Sequence, residues 1–426
     1  MIGQTLNVFN AAIGAIFMLC YAYQVVFLLI SLVTKPKKYP DAKIMHRYAF
    51  LISARNEEKV IPQLCDSIYA QNYPRELIDI YVIADNCSDN TALVARECGA
   101  FVVERQDLSR VGKGYALEAL FEYIGGSVGY DAYDGYIVVD ADNILDSDFV
   151  LEMNKCFDSG EKIITGYRNT KNYGENWLSQ GYSVWYMREM RQLNAVRGLL
   201  GTAAELRGTG FLVSSEIIKK QGGWPQHLLI EDVQFAVEKT LEGERIAYCH
   251  DAIFYDEQPT SFLVSWCQRR RWCRGYLQIL KRYGTRLVSS FFRGCGFSHF
   301  DMIMSMSPAF FITVFAAAFN IVALILTLIF ELEAFISTAL ASVNIMIASY
   351  IVFFAVGMIS VITERKRIRA TAAQKILSCI VFPVFMATYV PIAAVSLFKD
   401  AEWKAIKHKP LREKEKGGII THSNEK

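Results

Sequence analysis

Four long apolar runs, residues 8–33, 303–330, 334–362 and 376–398, constrain this chain more than any other feature. Each exceeds the roughly 18–20 residues that a helix needs to cross a bilayer. No basic residue precedes the first run and no small-residue cleavage site follows it, whereas Lys35, Lys37 and Lys38 come directly after. That arrangement reads as an uncleaved anchor with its N-terminus outside and the following segment in the cytoplasm. The runs account for the composition, 52% hydrophobic and only 21% charged over 426 residues, which is too apolar for an ordinary soluble enzyme. With 45 Lys and Arg against 43 Asp and Glu, no global basic field exists to hold nucleic acid, so it is excluded as a partner. The ten cysteines are scattered, without a Cys-x-x-Cys pair, and read as reduced thiols.

The expected organisation is a transmembrane anchor (1–34), a cytosolic domain ending in interfacial helices (35–300), a C-terminal transmembrane region (301–398) and a basic tail (399–426). Acidic Glu331 and Glu333 separate the second and third runs, and a basic loop with Arg365, Lys366, Arg367 and Arg369 follows the third. Both fit a cytoplasmic catalytic domain in a multi-pass plasma-membrane protein. The tail, with Lys399, Lys404, Lys407, Lys409 and Arg412, also favours the cytoplasm, yet three crossings after the domain would place it outside. One segment is therefore expected not to cross. The candidates are the last run, interrupted by Pro383 and Pro391, and residues 286–301, whose phenylalanines beside Arg293 suggest an interfacial helix.

Between the first two runs, short apolar stretches at 48–53, 80–84, 101–103 and 136–139 alternate with helical patterns over 56–69, 89–98 and 115–123. Near-continuous apolar strands alternating with helices predict an α/β domain with a mostly parallel sheet covered on both faces. Ligands of such sheets bind beyond the carboxyl ends of the strands, where Asp85, Asp140 and Asp142 fall.

Several constellations there can carry chemistry. Asp140 and Asp142, one residue apart at a strand end, suit a divalent cation that completes its shell with phosphate oxygens; the bland alternative is a turn with two solvated acids. Three acids at one edge repel one another unless a cation or donors offset them. Lys113 stands among glycines at a helix start, a place for phosphate or a plain turn. Gly208, Thr209 and Gly210, and the pair Gly222 and Gly223, are turns or places where a sugar approaches the backbone. Glu231 and Asp232 open a helical pattern, either as acids stabilised by a helix N-terminus or with one as a general base. Gln268, Arg271 and Trp272 lie on an amphipathic helix before the membrane, with Arg269 and Arg270 read as membrane-surface charges; Arg271 and Trp272 could instead hold diphosphate and stack on a sugar.

Taken in this order, the blocks resemble the family 2 glycosyltransferases with a GT-A fold. The resemblance is to the membrane-embedded branch that includes the cellulose, chitin, hyaluronan and poly-N-acetylglucosamine synthases, and it covers residues 49–272. It implies a GT-A, Rossmann-like cytosolic domain plus α-helical transmembrane segments. Ser53, Asn56 and Glu57 fall in what looks like the family's opening nucleotide-binding segment. Asp85 takes the uridine-binding role alone, since Ala84 and Asn86 replace the family's usual neighbours. Asp140 and Asp142 match the metal and diphosphate site for Mg²⁺ or Mn²⁺, and Lys113 a basic position near the diphosphate. Glu231 and Asp232 match the Thr-Glu-Asp block, with Ile230 in place of threonine and Asp232 as catalytic base. Gln268, Arg271 and Trp272 match the Gln-x-x-Arg-Trp signature, while Glu257 and Pro259 resemble residues preceding it. The Gly208, Thr209 and Gly210 segment is grouped with the diphosphate and acceptor residues.

The resemblance implies an inverting transfer from a UDP-sugar, with N-acetylglucosamine preferred and glucose next, to a growing β-linked polysaccharide or another membrane-associated acceptor. The alternatives are a single addition to a lipid carrier or glycolipid, and a nucleotide-sugar-binding membrane protein without catalysis. A transporter would not explain an α/β domain with acids clustered at strand ends, and ionisable residues within the apolar runs are nearly absent.

Overall fold

The computed structural model describes residues 2–294, 296–401, 406 and 408–410. Cys295, Lys404, Lys407 and Arg412 lie outside these described residues. Two compact units are present. One comprises Lys35–Asn172, Asn194–Gln258 and Glu402–Lys426, and the other Met1–Thr34, Tyr173–Leu193 and Pro259–Ala401.

The first unit is α/β. Its strands are β1 (Tyr48–Ala54), β2 (Ile78–Asp85), β3 (Phe101–Arg105), β4 (Gly135–Asp140), β5 (Ile144–Leu145), β6 (Ile163–Thr170), β7 (Phe211–Ser214) and β8 (Ile246–Asp256). They form one sheet in the order β3-β2-β1-β4-β7-β6-β8-β5. The half read from the apolar runs, β1 to β4, is parallel, with Ser53 in register with Asp140 and Asp85 with Arg105. The other half is mixed: β7 runs antiparallel to β4 and β6, and β5 antiparallel to β8. β6 and β8 run parallel, so four of the seven strand pairs are parallel, and the expectation of a mostly parallel sheet holds throughout β1 to β4 and less fully beyond them.

Strands buried on both faces need apolar residues at every position, which is why β1, β2 and β4 lack alternation. Phe50, Ile52, Val82 and Val139 join Ile61, Leu64 and Ile68 of the helix Ile61–Tyr69 in one core. That helix starts five residues later than the sequence pattern suggests, because Asn56 adopts a left-handed φ of 60° and residues 55–60 form a turn. Asp89 satisfies the first turn of the next helix, Thr91–Glu97, accepting from the Thr91 N–H at 3.1 Å. Gly99, at φ +79°, ends it.

The second unit is helical. Four helices, Thr5–Val33, Phe297–Phe330, Leu332–Thr363 and Ala372–Phe398, are long and apolar enough to cross a membrane. The single interfacial helix expected over residues 286–301 is not formed as one element: the chain breaks at Gly294 and Gly296, both at positive φ, between the helices Phe262–Phe292 and Phe297–Met306. The last segment divides at Thr388, with Pro383 inside the helix Ala372–Ala387 and Pro391 in the first turn of Tyr389–Phe398. Within the unit the helix Trp177–Arg188, started by an Asn176 capping box, buries Tyr182 and Tyr186 with Phe382 and Phe385. One expectation fails here. Arg269 does not face a membrane surface: it is fully buried, donates to Thr388 Oγ1 at 2.7 Å and stands 4.6 Å from the Phe385 ring centre.

Candidate active site

The parallel half of the sheet brings its acids to one edge because β1, β2 and β4 end side by side. Asp140 closes β4 and its backbone N–H donates to Thr209 Oγ1 at 2.8 Å. The Thr209 hydroxyl in turn donates to Asn143 Oδ1 at 2.5 Å. Gly208 and Gly210 flank this brace at φ +86° and +68°, and a Cβ on Gly210 would overlap the Phe254 ring. The glycine block is thus a tight turn that fixes the Asp140 loop. Gly222 and Gly223 form a turn as well, and Trp224 beside them is a core residue stacked on Phe235, with 4.8 Å between ring centres.

Lys113 opens the helix Lys113–Ser127, forms an ion pair with Asp140 and donates to the Gly208 carbonyl at 2.6 Å. Burial alone would lower its pKa; Asp140 and Glu231, with Asp232 adding, outweigh burial and raise it. Lys113 therefore stays cationic, held between the sheet edge and the N-terminal turn of the helix Glu231–Leu241. Glu231 and Asp232 are both buried at that turn, where the helix dipole favours negative charge.

Asp142 is also buried. Its Oδ2 accepts from the Glu257 N–H at 3.0 Å and its Oδ1 from the Asn143 amide at 3.3 Å. Burial pushes its pKa up, but His408, Lys171, the Glu257 N–H and Arg168 together bring it below the usual carboxylate value. Asp142 is consequently a preformed carboxylate. Glu57 behaves oppositely: burial, with Asp142, Asp140 and Glu257 adding to it and His408 opposing, pushes it up to about 8. At neutral pH it is largely a neutral acid, which spares the edge a further negative charge.

Beyond β1 and β2 the edge continues. Ser53 lies beside Asp140 in the sheet, and Asn56 Oδ1 accepts from the Ser88 N–H at 2.8 Å, bracing the loop after β2. Asp85 accepts from Arg105 Nη1 at 2.5 Å, and Arg105 also reaches Asp107 Oδ2 at 3.2 Å. Gln268, Arg271 and Trp272 belong to the helix Phe262–Phe292 of the helical unit. There the Trp272 ring centre lies 5.8 Å from that of Trp185 and 6.1 Å from that of Tyr182.

Sequence reasoning missed four residues of the sheet edge. Arg105 had a signal, since it ends β3 as Asp85 ends β2. Asp107 and Lys171 had none beyond their charge. His408 follows all the apolar runs, and its imidazole stands 3.7 Å from Asp142 Oδ2. Among the described residues, no group of three or more His, Cys, Asp or Glu side chains is placed to hold a metal ion.

Residues 46–275, more than half of the chain, match the family described as glycosyltransferase like family 2. The probable glycosyltransferase YdaM of Bacillus subtilis is 26% identical over 263 residues, covering 58% of this chain and 59% of that protein. The β-monoglucosyldiacylglycerol synthase of Trichormus variabilis is 28% identical over 260 residues, covering 56% and 52%. The poly-β-1,6-N-acetyl-D-glucosamine synthase of Staphylococcus aureus is 25% identical over 252 residues, covering 58% of each. The match spans between half and three-fifths of the length of each of these relatives. Among solved structures, the mannosyltransferase PcManGT of Pyrobaculum calidifontis, in complex with GDP-Man and Mn²⁺, superposes with a TM-score of 0.59 at 16% identity, covering 93% of this chain and 99% of that one. This likeness shows the fold, GT-A-like, carried together with long apolar helices. A family match over more than half the chain, on a sheet whose acidic edge is built from the blocks that first suggested it, leaves one conclusion: the chain belongs to the family 2 glycosyltransferases.

Proposed function

We propose that this protein transfers a sugar from a UDP-sugar, with inversion, to an acceptor at the membrane. The observation that carries the reading is one sheet edge holding the ionised Asp142, the Lys113 and Asp140 ion pair, and the buried Glu231 and Asp232 whose charges bear on Lys113. Asp85, paired with Arg105, is the uridine contact in this reading, with Ser53, Asn56 and Glu57 lining the same end. Lys113 holds the diphosphate.

The oxygen donors of Asp142 and Asp140 fit Mg²⁺ or Mn²⁺: one is a buried carboxylate kept ionised, and the other is partly open to solvent. A cation held there would neutralise charge on the departing diphosphate. Asp232 takes the proton from the acceptor hydroxyl, and the resulting oxygen attacks the anomeric carbon as its bond to the diphosphate breaks. Direct displacement turns an α-linked donor into a β-glycoside. Gln268, Arg271 and Trp272 serve the diphosphate and the acceptor sugar in this scheme, and the Gly208 to Gly210 turn positions Asp140.

The acceptor is proposed to be a growing β-linked polysaccharide, on the strength of the Gln268, Arg271 and Trp272 signature, with N-acetylglucosamine or glucose as the sugar. A second reading, one addition to a diacylglycerol or lipid carrier, is favoured by the relative named as a glucosyldiacylglycerol synthase. The test is incubation of the purified protein, in membranes with Mn²⁺, with UDP-N-acetylglucosamine, UDP-glucose and GDP-mannose while nucleotide release is followed. Release from a UDP-sugar is expected; turnover of GDP-mannose alone would overturn the uridine assignment, and no turnover with any donor would overturn catalysis. Sizing the product then separates a polymer ladder from a single addition.

A further inference from the structure

Residues 258–300 hold eight Lys and Arg and no Asp or Glu, in a chain whose totals are 45 and 43, so the rest of the chain is net acidic. Most of this stretch is the helix Phe262–Phe292, whose first half carries Gln268, Arg271 and Trp272 and whose second half takes no part in the scheme above. In that second half Ile279, Tyr283 and Leu287 form the buried face. At about 100° per residue, Arg282, Arg286 and the C-cap Arg293 fall within about 40° of one another on one flank of it. On the other flank Val288 and Phe292, 43% and 81% exposed, fall equally close together with Lys281 between them. All four bases are exposed, and among the described residues none of them forms an ion pair, whereas Arg274 earlier on the helix pairs with Asp400. Water alone accounts for neither flank: a Phe so open gains nothing from it, and bases a turn apart repel one another unless an anion lies across them.

The covalent chain fixes what does lie there. Four residues, 293–296, separate the helix from Phe297, where a candidate membrane span begins, and the Phe291 ring centre lies 5.5 Å from that of Phe300 beyond the break. The end of the helix is thus held where the polar layer of a bilayer meets its acyl chains. Both flanks suit that layer: the apolar one enters the acyl boundary, Lys281 reaches back from it to water, and the arginines meet phosphate.

We propose that the second half of this helix binds anionic phospholipid headgroups through Arg282, Arg286 and Arg293, with Val288 and Phe292 in the acyl layer beside them. Trp272 stands on the same helix about 15 Å along the axis from Arg282, so the bound lipid sets the depth at which Gln268, Arg271 and Trp272 meet an acceptor in the membrane. That consequence rests on the function proposed above; the lipid site does not.

The test uses the full-length protein in phosphatidylcholine vesicles that carry spin-labelled phosphatidylglycerol or spin-labelled phosphatidylcholine. Electron paramagnetic resonance reads the fraction of label immobilised on the protein. Wild type is expected to prefer phosphatidylglycerol at low salt and to lose much of the preference in about 1 M NaCl. The triple variant Arg282→Gln, Arg286→Gln, Arg293→Gln is expected to lower it about fivefold per arginine, and the corresponding triple change to Lys to keep it. Arg365→Gln, Lys366→Gln, Arg369→Gln, which removes the same charge from another segment, is expected to leave it within about twofold. Wild type without the preference, or an equal loss in the two Gln triples, would overturn the proposal. Displacement of the labelled lipid by glycerol 3-phosphate at matched ionic strength would also overturn it, making the site one for a soluble phosphate. UDP release separates the two layers: in active vesicles a rate indifferent to phosphatidylglycerol overturns the control of depth, whereas no turnover in any lipid beside an intact preference counts against the proposed function and leaves the lipid site standing.

Discussion

Gly210 shows how much of this site depends on a single hydrogen atom in place of a side chain. Its φ of +68° and the Phe254 ring against its Cα exclude any Cβ, and the turn it permits aims Thr209 at the Asp140 N–H. Gly210→Ala is expected to cost about 2–4 kcal/mol, strain and overpacking together, read as a lowered thermal midpoint, and to raise the KM for donor as Asp140 shifts. Lys113→Ala leaves Asp140 without its cation and should raise donor KM more than it lowers stability; a variant with unchanged donor KM would remove Lys113 from the diphosphate. Asp140, Asp142, Lys113 and Asp232 were legible in the sequence because each stands where an apolar strand stops or a helical pattern begins, a local signal. Arg105 was half legible by the same logic. Lys171 and His408 were not, because what makes them part of the site is proximity across the fold.

At the level of elements, the strands read most clearly where burial on both faces removes alternation, as in β1, β2 and β4. The antiparallel half escaped notice because β7 is only four residues long and β5 two. Helix starts were misplaced where a turn intervened, as at Asn56. In the helical unit, the reading of Arg269 as a surface charge ignored what a long side chain does when a helix face is covered. It is enclosed by Tyr182, Phe385 and Tyr389 and bonded to Thr388 at the division of the last apolar segment. Arg269→Ala is expected to destabilise that division and to lower the melting temperature, whereas Arg270→Ala is expected to do less. The apolar helices also carry a reciprocal amide pair, Asn10 with Asn320 at 3.1 and 2.9 Å. Asn320→Leu should weaken their association by about 1 kcal/mol, measurable as a lower unfolding midpoint in detergent.

For the whole molecule, the tail is the informative part. Three candidate membrane helices lie between Glu257 and His408, yet both residues belong to the α/β unit. We therefore propose that both lie on one side of the bilayer, with an even number of crossings between them. The expected outcome is that an epitope placed after Pro410 and one in the α/β unit are cleaved by protease from the same side of sealed vesicles. Opposite sidedness would contradict it. The basic tail suggests this parity from charge alone, and the seat of His408 and Lys409 beside Asp142 and Glu257 supports it.

The central claim is that this acidic edge performs inverting sugar transfer with Asp232 as base. Its most direct test is a paired measurement on Asp232→Asn: donor affinity, and UDP release at saturating UDP-sugar and Mn²⁺. Removing a general base is expected to leave donor affinity within a few-fold of wild type and to lower the rate by about 10²–10⁴-fold. UDP release undiminished in Asp232→Asn, with donor still bound, would contradict the assignment of chemistry to this edge.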